Sequence, residues 1–160
     1  MEDLTGLRKA HRTSSLIGAA IIASLFLYAV VVEVGRAWLK PFLGFARVEN
    51  ALVLRYAFYA AAIVIVISSR VMNSLILRKS RKVEAKAVIR KLSLAAIVSM
   101  ALGEGPAVMG LALFWLGGFS RDFYMLLVVS LFLEFMYFPR KTAWEEIIRN
   151  NYQQTRIEGS

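Results

Sequence analysis

Four long apolar blocks leave this chain few ways to fold. They run from about Ser14 to Trp38, Ala51 to Leu77, Leu92 to Gly117 and Phe119 to Phe138. An uninterrupted apolar stretch of this length reads as a transmembrane helix, and at about 1.5 Å per residue each block can cross a hydrocarbon core of roughly 30 Å. Lipid offers the backbone no hydrogen-bond partners, so a segment that satisfies its own amides is required, and for blocks this long that means a helix. The residues are 58% hydrophobic, with a mean hydropathy of +0.57. Soluble domains sit at about 45–50%. Little chain remains outside the blocks, so residues 1–160 are expected to form one all-α integral membrane domain, a four-helix up-down bundle.

Charge sets the expected orientation. The net charge is +9, from 20 Lys and Arg against 11 Asp and Glu. The basic residues gather at block ends, which fits membrane topology and anionic lipid headgroups, with nucleic acid disfavoured. The segment from Arg78 to Lys91 carries Arg78, Lys79, Arg81, Lys82, Lys86, Arg90 and Lys91, so the positive-inside rule places it in the cytoplasm. Both termini then face the cytoplasm too, and both are basic, with Arg8, Lys9 and Arg12 at one end and Arg140, Lys141, Arg149 and Arg156 at the other. The outer connections are poorer, with Arg36, Lys40 and Arg47 in one and Arg121 in the other. The reading is a multi-pass protein of the cell (inner) membrane whose first block is an uncleaved anchor.

The connections carry their own signals. Pro41 stops the first helix, and Phe42 and Phe45 suit an interfacial loop. The short link from Gly117 to Asp122 forces the third and fourth blocks into a hairpin. After Pro139, Thr142 and Glu145 fit a capping box, while Trp144, Ile147 and Ile148 share one helical face. A short amphipathic helix on the cytoplasmic leaflet is expected there.

Five ionisable residues lie inside the blocks: Glu33, Arg55, Arg70, Glu104 and Glu134. Depth counted from the block ends suggests two pairs, Glu33 with Arg55 and Arg70 with Glu134. Arg36, one turn beyond Glu33, competes for it. Glu104 is left over, with no Lys, Arg or His at its depth. A carboxylate at mid-bilayer costs roughly 2.5–3.5 kcal/mol on insertion scales. It is therefore expected to hold a proton or to bind a cation such as Na⁺. Ser24, Tyr28 and Ser130 supply hydroxyls at that level. Gly103, Gly105 and Pro106 surround the acid, and Pro106 has no N–H for the carbonyl of Leu102. A kink with a released carbonyl beside a carboxyl is a plausible ion site. The competing reading makes Gly103, Ala107 and Gly110 a packing face, with Glu104 bonded only to a neighbour.

The stretch Ala101-Leu102-Gly103-Glu104-Gly105-Pro106-Ala107-Val108-Met109-Gly110-Leu111 resembles the carboxylate helix of rotary ATPase proteolipids, the c or K subunits. In that family a mid-membrane acid is followed by small residues, often a proline, and a Gly-Leu pair. The resemblance implies that Glu104 takes up and releases H⁺ or Na⁺. The chain is also similar to four-helix prokaryotic membrane proteins described as proteolipid-like.

With no cysteine and a single histidine, His11, the chain has no thiolate metal site, no disulfide and no bis-histidine haem site. No metal site or cofactor is expected beyond the H⁺ or Na⁺ itself. A membrane-embedded enzyme would need a nucleophile, a metal or a paired acid and base, and no second carboxylate is expected near Glu104. Two readings stand ahead of it. One is ion binding at Glu104 within a homo-oligomer or larger membrane complex. The other is a non-catalytic accessory or anchoring subunit of a transporter or respiratory complex. Small residues four apart, Ala19 and Ala23, Ala20 and Ser24, and Ala57 and Ala61, favour close helix contacts within the bundle or between copies.

Overall fold

The computed structural model describes residues 2–46, 50–78, 85–139 and 142. The described residues form five helical segments: α1 (Glu2–Trp38), α2 (Ala51–Arg78), α3 (Ala85–Gly103), α4 (Gly105–Gly117) and α5 (Ser120–Tyr137). Residues 79–84 of the basic segment, and the expected amphipathic helix apart from Thr142, lie outside them.

Three stretches are long and apolar enough to cross a membrane: Arg8–Trp38, Ala51–Met72 and Ala87–Gly117. The fourth expected span is different. Helix α5 has 18 residues and includes Arg121, Asp122 and Glu134, so composition alone does not qualify it. The first helix also begins earlier than its apolar block, at Glu2.

Helices α3 and α4 make one rod that is interrupted at Glu104. Pro106 cannot donate to Leu102, and the next amides tighten onto one carbonyl. Ala107 N donates to Glu104 O at 3.0 Å and Val108 N to the same oxygen at 3.2 Å. Glu104 itself keeps helical dihedrals, φ −69° and ψ −24°, so the interruption lies in the hydrogen bonding.

Contacts fix how the helices run. Helix α1 rises alongside α3 and α4: Ser14 meets Ser93, Gly18 faces Met100, and Gly35 faces Phe114 and Trp115. Helix α5 returns antiparallel to α4, with Gly110 against Phe123, Ala107 against Ser130 and Gly103 against Glu134. The turn between them is closed by Gly118, whose positive φ of 71° lets its N–H reach Phe114 O at 2.8 Å.

Packing is densest around α4. Leu25 and Val32 of α1 meet Ala107 and Phe114 of α4 and Phe123 and Leu127 of α5. Ala62 of α2 meets Leu113 and Leu126 on the other side. The segment after α1 folds back over this end, where Phe45 N and Ala46 N donate to the carbonyls of Trp115 and Leu116 at 2.8 and 3.0 Å. Phe42, Phe45, Phe114 and Trp115 form an aromatic cluster there. Outward faces are apolar, including Phe26, Leu52, Ile63, Val64 and Phe135. So large an exposed apolar surface calls for a non-aqueous surrounding.

Candidate functional site

The interruption between α3 and α4 places the Glu104 side chain toward α1. Its Oε1 accepts a hydrogen bond from Ser24 Oγ at 2.6 Å and another from Tyr28 OH at 2.6 Å. Ser24 and Tyr28 are one turn apart on α1, so their hydroxyls reach the same oxygen from one face. Both contacts are short O–H···O hydrogen bonds. Glu104 is the residue before the first turn of α4, but its carboxyl makes no cap bond to that turn.

Ser24 has a second acceptor. Its Oγ lies 2.7 Å from Ile21 O as well as 2.6 Å from Glu104 Oε1, and a hydroxyl has one hydrogen to give. With Glu104 ionised, that hydrogen can serve the carboxylate. With Glu104 protonated, Ser24 can accept from the carboxyl and donate to Ile21. The pair is satisfied in either state.

Ser130 acts on the backbone. Its Oγ accepts from Ala107 N at 2.8 Å and lies 3.5 Å from Glu104 O, so it holds the interrupted turn and does not bond the Glu104 carboxyl. Gly103, Ala107 and Gly110 do face α5, as the packing reading expects, and Ala107 is fully buried. Gly105 faces α2, where an added Cβ would lie 2.8 Å from Ile65 Cγ2. The packing face and the carboxyl site coexist because they occupy different sides of the rod.

The two ion pairs expected from depth do not form. Glu33 pairs with Arg36 at 2.9 Å and accepts from Tyr124. The neighbour one turn along the same helix wins over a residue on another. Arg55 pairs with Asp122 at 2.8 Å, and Tyr59 OH donates to the same carboxylate oxygen at 2.8 Å. Asp122, which the sequence placed in the link between the third and fourth blocks, opens α5 and is buried. Arg70 is exposed on α2.

Glu134 is the largest correction. It does not sit near the end of the bundle with Arg70. The antiparallel register of α4 and α5 puts it level with Gly103, and a Cβ added to Gly103 would lie 2.8 Å from Glu134 Oε1. The side chain is 0% exposed, and neither carboxyl oxygen has a hydrogen-bond partner. A second carboxyl therefore lies beside the residue preceding Glu104, within electrostatic reach of it. The sequence did carry a signal for this, since Glu104 and Glu134 are nearly equidistant from the Gly117–Gly118 turn. Counting depth from the hairpin turn, and not from the block ends, brings the two acids to one level.

The ion pairs among the described residues, Arg36–Glu33 and Arg55–Asp122, leave Glu104 and Glu134 out. No group of three or more His, Cys, Asp or Glu among the described residues is placed to hold a metal ion. Comparison with protein-family models, with curated proteins and with solved structures finds no match to this chain.

Proposed function

We propose that this is a multi-pass membrane protein in which Glu104 reversibly binds a proton at mid-membrane. The observation that carries this reading is the pairing of Glu104 with Ser24, which has an alternative acceptor in Ile21 O. A fixed structural hydrogen bond needs only one arrangement. A hydroxyl that serves the protonated and the ionised acid equally well lowers the cost of moving between them. The interrupted helix adds the Leu102 carbonyl, deprived of its usual donor by Pro106. Na⁺ is the competing occupant.

In this reading α5 crosses the bilayer as the fourth span. At about 1.5 Å per residue it is long enough; Arg121 lies exposed at its start, Asp122 is paired with Arg55, and Glu134 is buried against Gly103 of α3. Both termini and the Arg78–Lys91 segment lie on the cytoplasmic side of the cell membrane, near anionic headgroups. The protein works as an oligomer or within a larger membrane complex. In support, Ala19, Ala20 and Ala23 of α1 and Ala57 of α2 lie on exposed faces, where they permit close approach of another helix. An accessory subunit that anchors such a complex is the alternative, with Glu104 then bonded within the bundle only.

A carboxyl-directed carbodiimide tests the site, because it modifies a protonated, lipid-accessible acid. The wild type should be labelled at Glu104 in a pH-dependent manner, and Glu104→Gln should abolish the label while the fold persists. Protection by Na⁺ at constant pH would transfer the assignment to sodium. Labelling that is absent or independent of pH would leave the anchoring reading.

A further inference from the structure

A carboxyl with no exposure and no hydrogen-bond partner is rare, because buried polar groups are almost always satisfied by protein or by water. Left ionised and unpaired, such a group would be very costly. Glu134 is in this position beside Gly103, and three hydroxyls in the same half of the bundle share the condition. Ser15 Oγ, Ser99 Oγ and Tyr137 OH are buried without a partner. Ser99 precedes Gly103 by one turn of α3, and Tyr137 follows Glu134 by one turn of α5. Both displacements point toward the same end of the bundle, because α3 and α5 run in opposite directions. Ser14 and Ser93 meet at 2.8 Å further along, and His11 contacts Pro139 O at 3.1 Å at that end.

The other direction differs. Beyond Glu104 toward the Gly117–Gly118 turn, Leu25, Val32, Ala107, Phe114, Phe123 and Leu127 fill the interior between α1, α4 and α5, and the buried Asp122 is paired with Arg55 and Tyr59. Among the described residues, the unsatisfied buried hydroxyls of Ser15, Ser99 and Tyr137 lie on the α3-start side of the Glu104 level, whereas the unpartnered atom on the other side, Arg55 Nε, belongs to a guanidinium already paired with Asp122. Among the titratable or charged groups on the helices around Glu134, Tyr28 of α1 is bonded to Glu104, Arg70 of α2 is exposed, Lys86, Arg90 and Lys91 lie in the first turns of α3, and Tyr137 is on α5 itself. Glu104 is the carboxyl partner within reach.

We propose that Glu134 is a relay carboxyl that passes a proton to and from Glu104, supplied from the end of the bundle where α3 begins and α5 finishes. In the forward step the O–H bond of the Glu134 carboxylic acid breaks. The proton moves through a hydrogen-bonded water to the Glu104 carboxylate, where a new O–H bond forms. During this transfer the pair keeps one proton and one negative charge. Glu134 then takes a proton from a hydronium ion that reaches it on the side of Ser99 and Tyr137, leaving a neutral water and a neutral pair until Glu104 releases its own proton. Gly103 is the residue that makes room, since any side chain there would enter the space of Glu134 Oε1.

This proposal rests on proton binding at Glu104, and the experiment separates the two. In lipid vesicles, infrared spectroscopy follows hydrogen–deuterium exchange of the protonated Glu104 carboxyl, with its band assigned by loss in Glu104→Gln. Glu134→Leu fills the same buried space without a polar group, and Glu134→Gln keeps its shape. Both should retain the Glu104 band and slow its exchange tenfold or more, while Glu134→Asp should recover part of the rate. Wild-type exchange in a folded Glu134→Leu or Glu134→Gln protein overturns the relay and leaves Glu104 as a proton site. No pH-dependent band lost in Glu104→Gln overturns the underlying site itself. Should the Leu and Gln variants fail to fold, Glu134→Asp decides alone, and an unchanged rate counts against the relay.

Discussion

The two ends of α4 handle buried acids in opposite ways. Near the Gly117–Gly118 turn, Asp122 meets the Arg55 guanidinium and the Tyr59 hydroxyl on one oxygen. Its charge is neutralised, and nothing remains for the group to exchange. At the other end of α4, Glu104 receives two hydroxyls and no cation, and Glu134 receives nothing. A guanidinium fixes a carboxylate in one protonation state, whereas hydroxyls accommodate two. On the proposed reading, the acids of this bundle are distinguished by their partners rather than by depth of burial, since Asp122 and Glu134 are both buried.

The comparison breaks most readily at Asp122. Asp122→Ala removes the acceptor of Tyr59 and the counter-charge of a neighbouring cation. Loss of a hydrogen bond to a charged, buried group costs about 2–3 kcal/mol, so thermal unfolding in detergent should shift strongly, with carbodiimide labelling of Glu104 unchanged. Gly103→Leu probes the other end. Its side chain would enter the space of Glu134 and Leu133, and overpacking of this kind costs about 1–3 kcal/mol. Unlike Asp122→Ala, it should also alter labelling at Glu104, which reports whether the two carboxyls share one space.

The mildest change sharpens the contrast. Tyr28→Phe keeps the ring and removes one donor from Glu104 Oε1, at a cost of about 1 kcal/mol for a bond whose acceptor keeps a second donor. Ser24→Ala should cost no more in stability. Its larger consequence should be kinetic, because it deletes the hydroxyl that serves both protonation states. Thermal unfolding and labelling rate, measured on both variants, separate these effects.

Much of the fold was legible in the sequence because lipid solvation makes long apolar blocks nearly unambiguous. The extents of α2 and α5 and the end of the broken α3–α4 rod at Gly117 follow the apolar pattern closely, and Pro106 marked the interruption, whereas α3 starts at Ala85, before the expected Leu92. Glu104, Ser24 and Tyr28 were legible as a group because a common level can be read along parallel helices. Pairing across helices was not. Glu33 and Arg55 matched in height, but height does not determine which helix face a residue occupies, and each found a nearer partner in Arg36 and Asp122. Glu134 was misplaced because α5 is much shorter than the α3–α4 rod it packs against, so the end of its apolar block does not mark the end of the bundle. Only the packing of Gly103, Ala107 and Gly110 against α5 fixes that register.

The most direct test is an infrared pH titration of the protein in lipid vesicles, comparing wild type with Glu104→Gln. A protonated-carboxyl band that rises and falls reversibly with pH, and is missing in the variant, is the predicted result. A wild-type spectrum identical to that of Glu104→Gln across the whole pH range would contradict proton binding at Glu104.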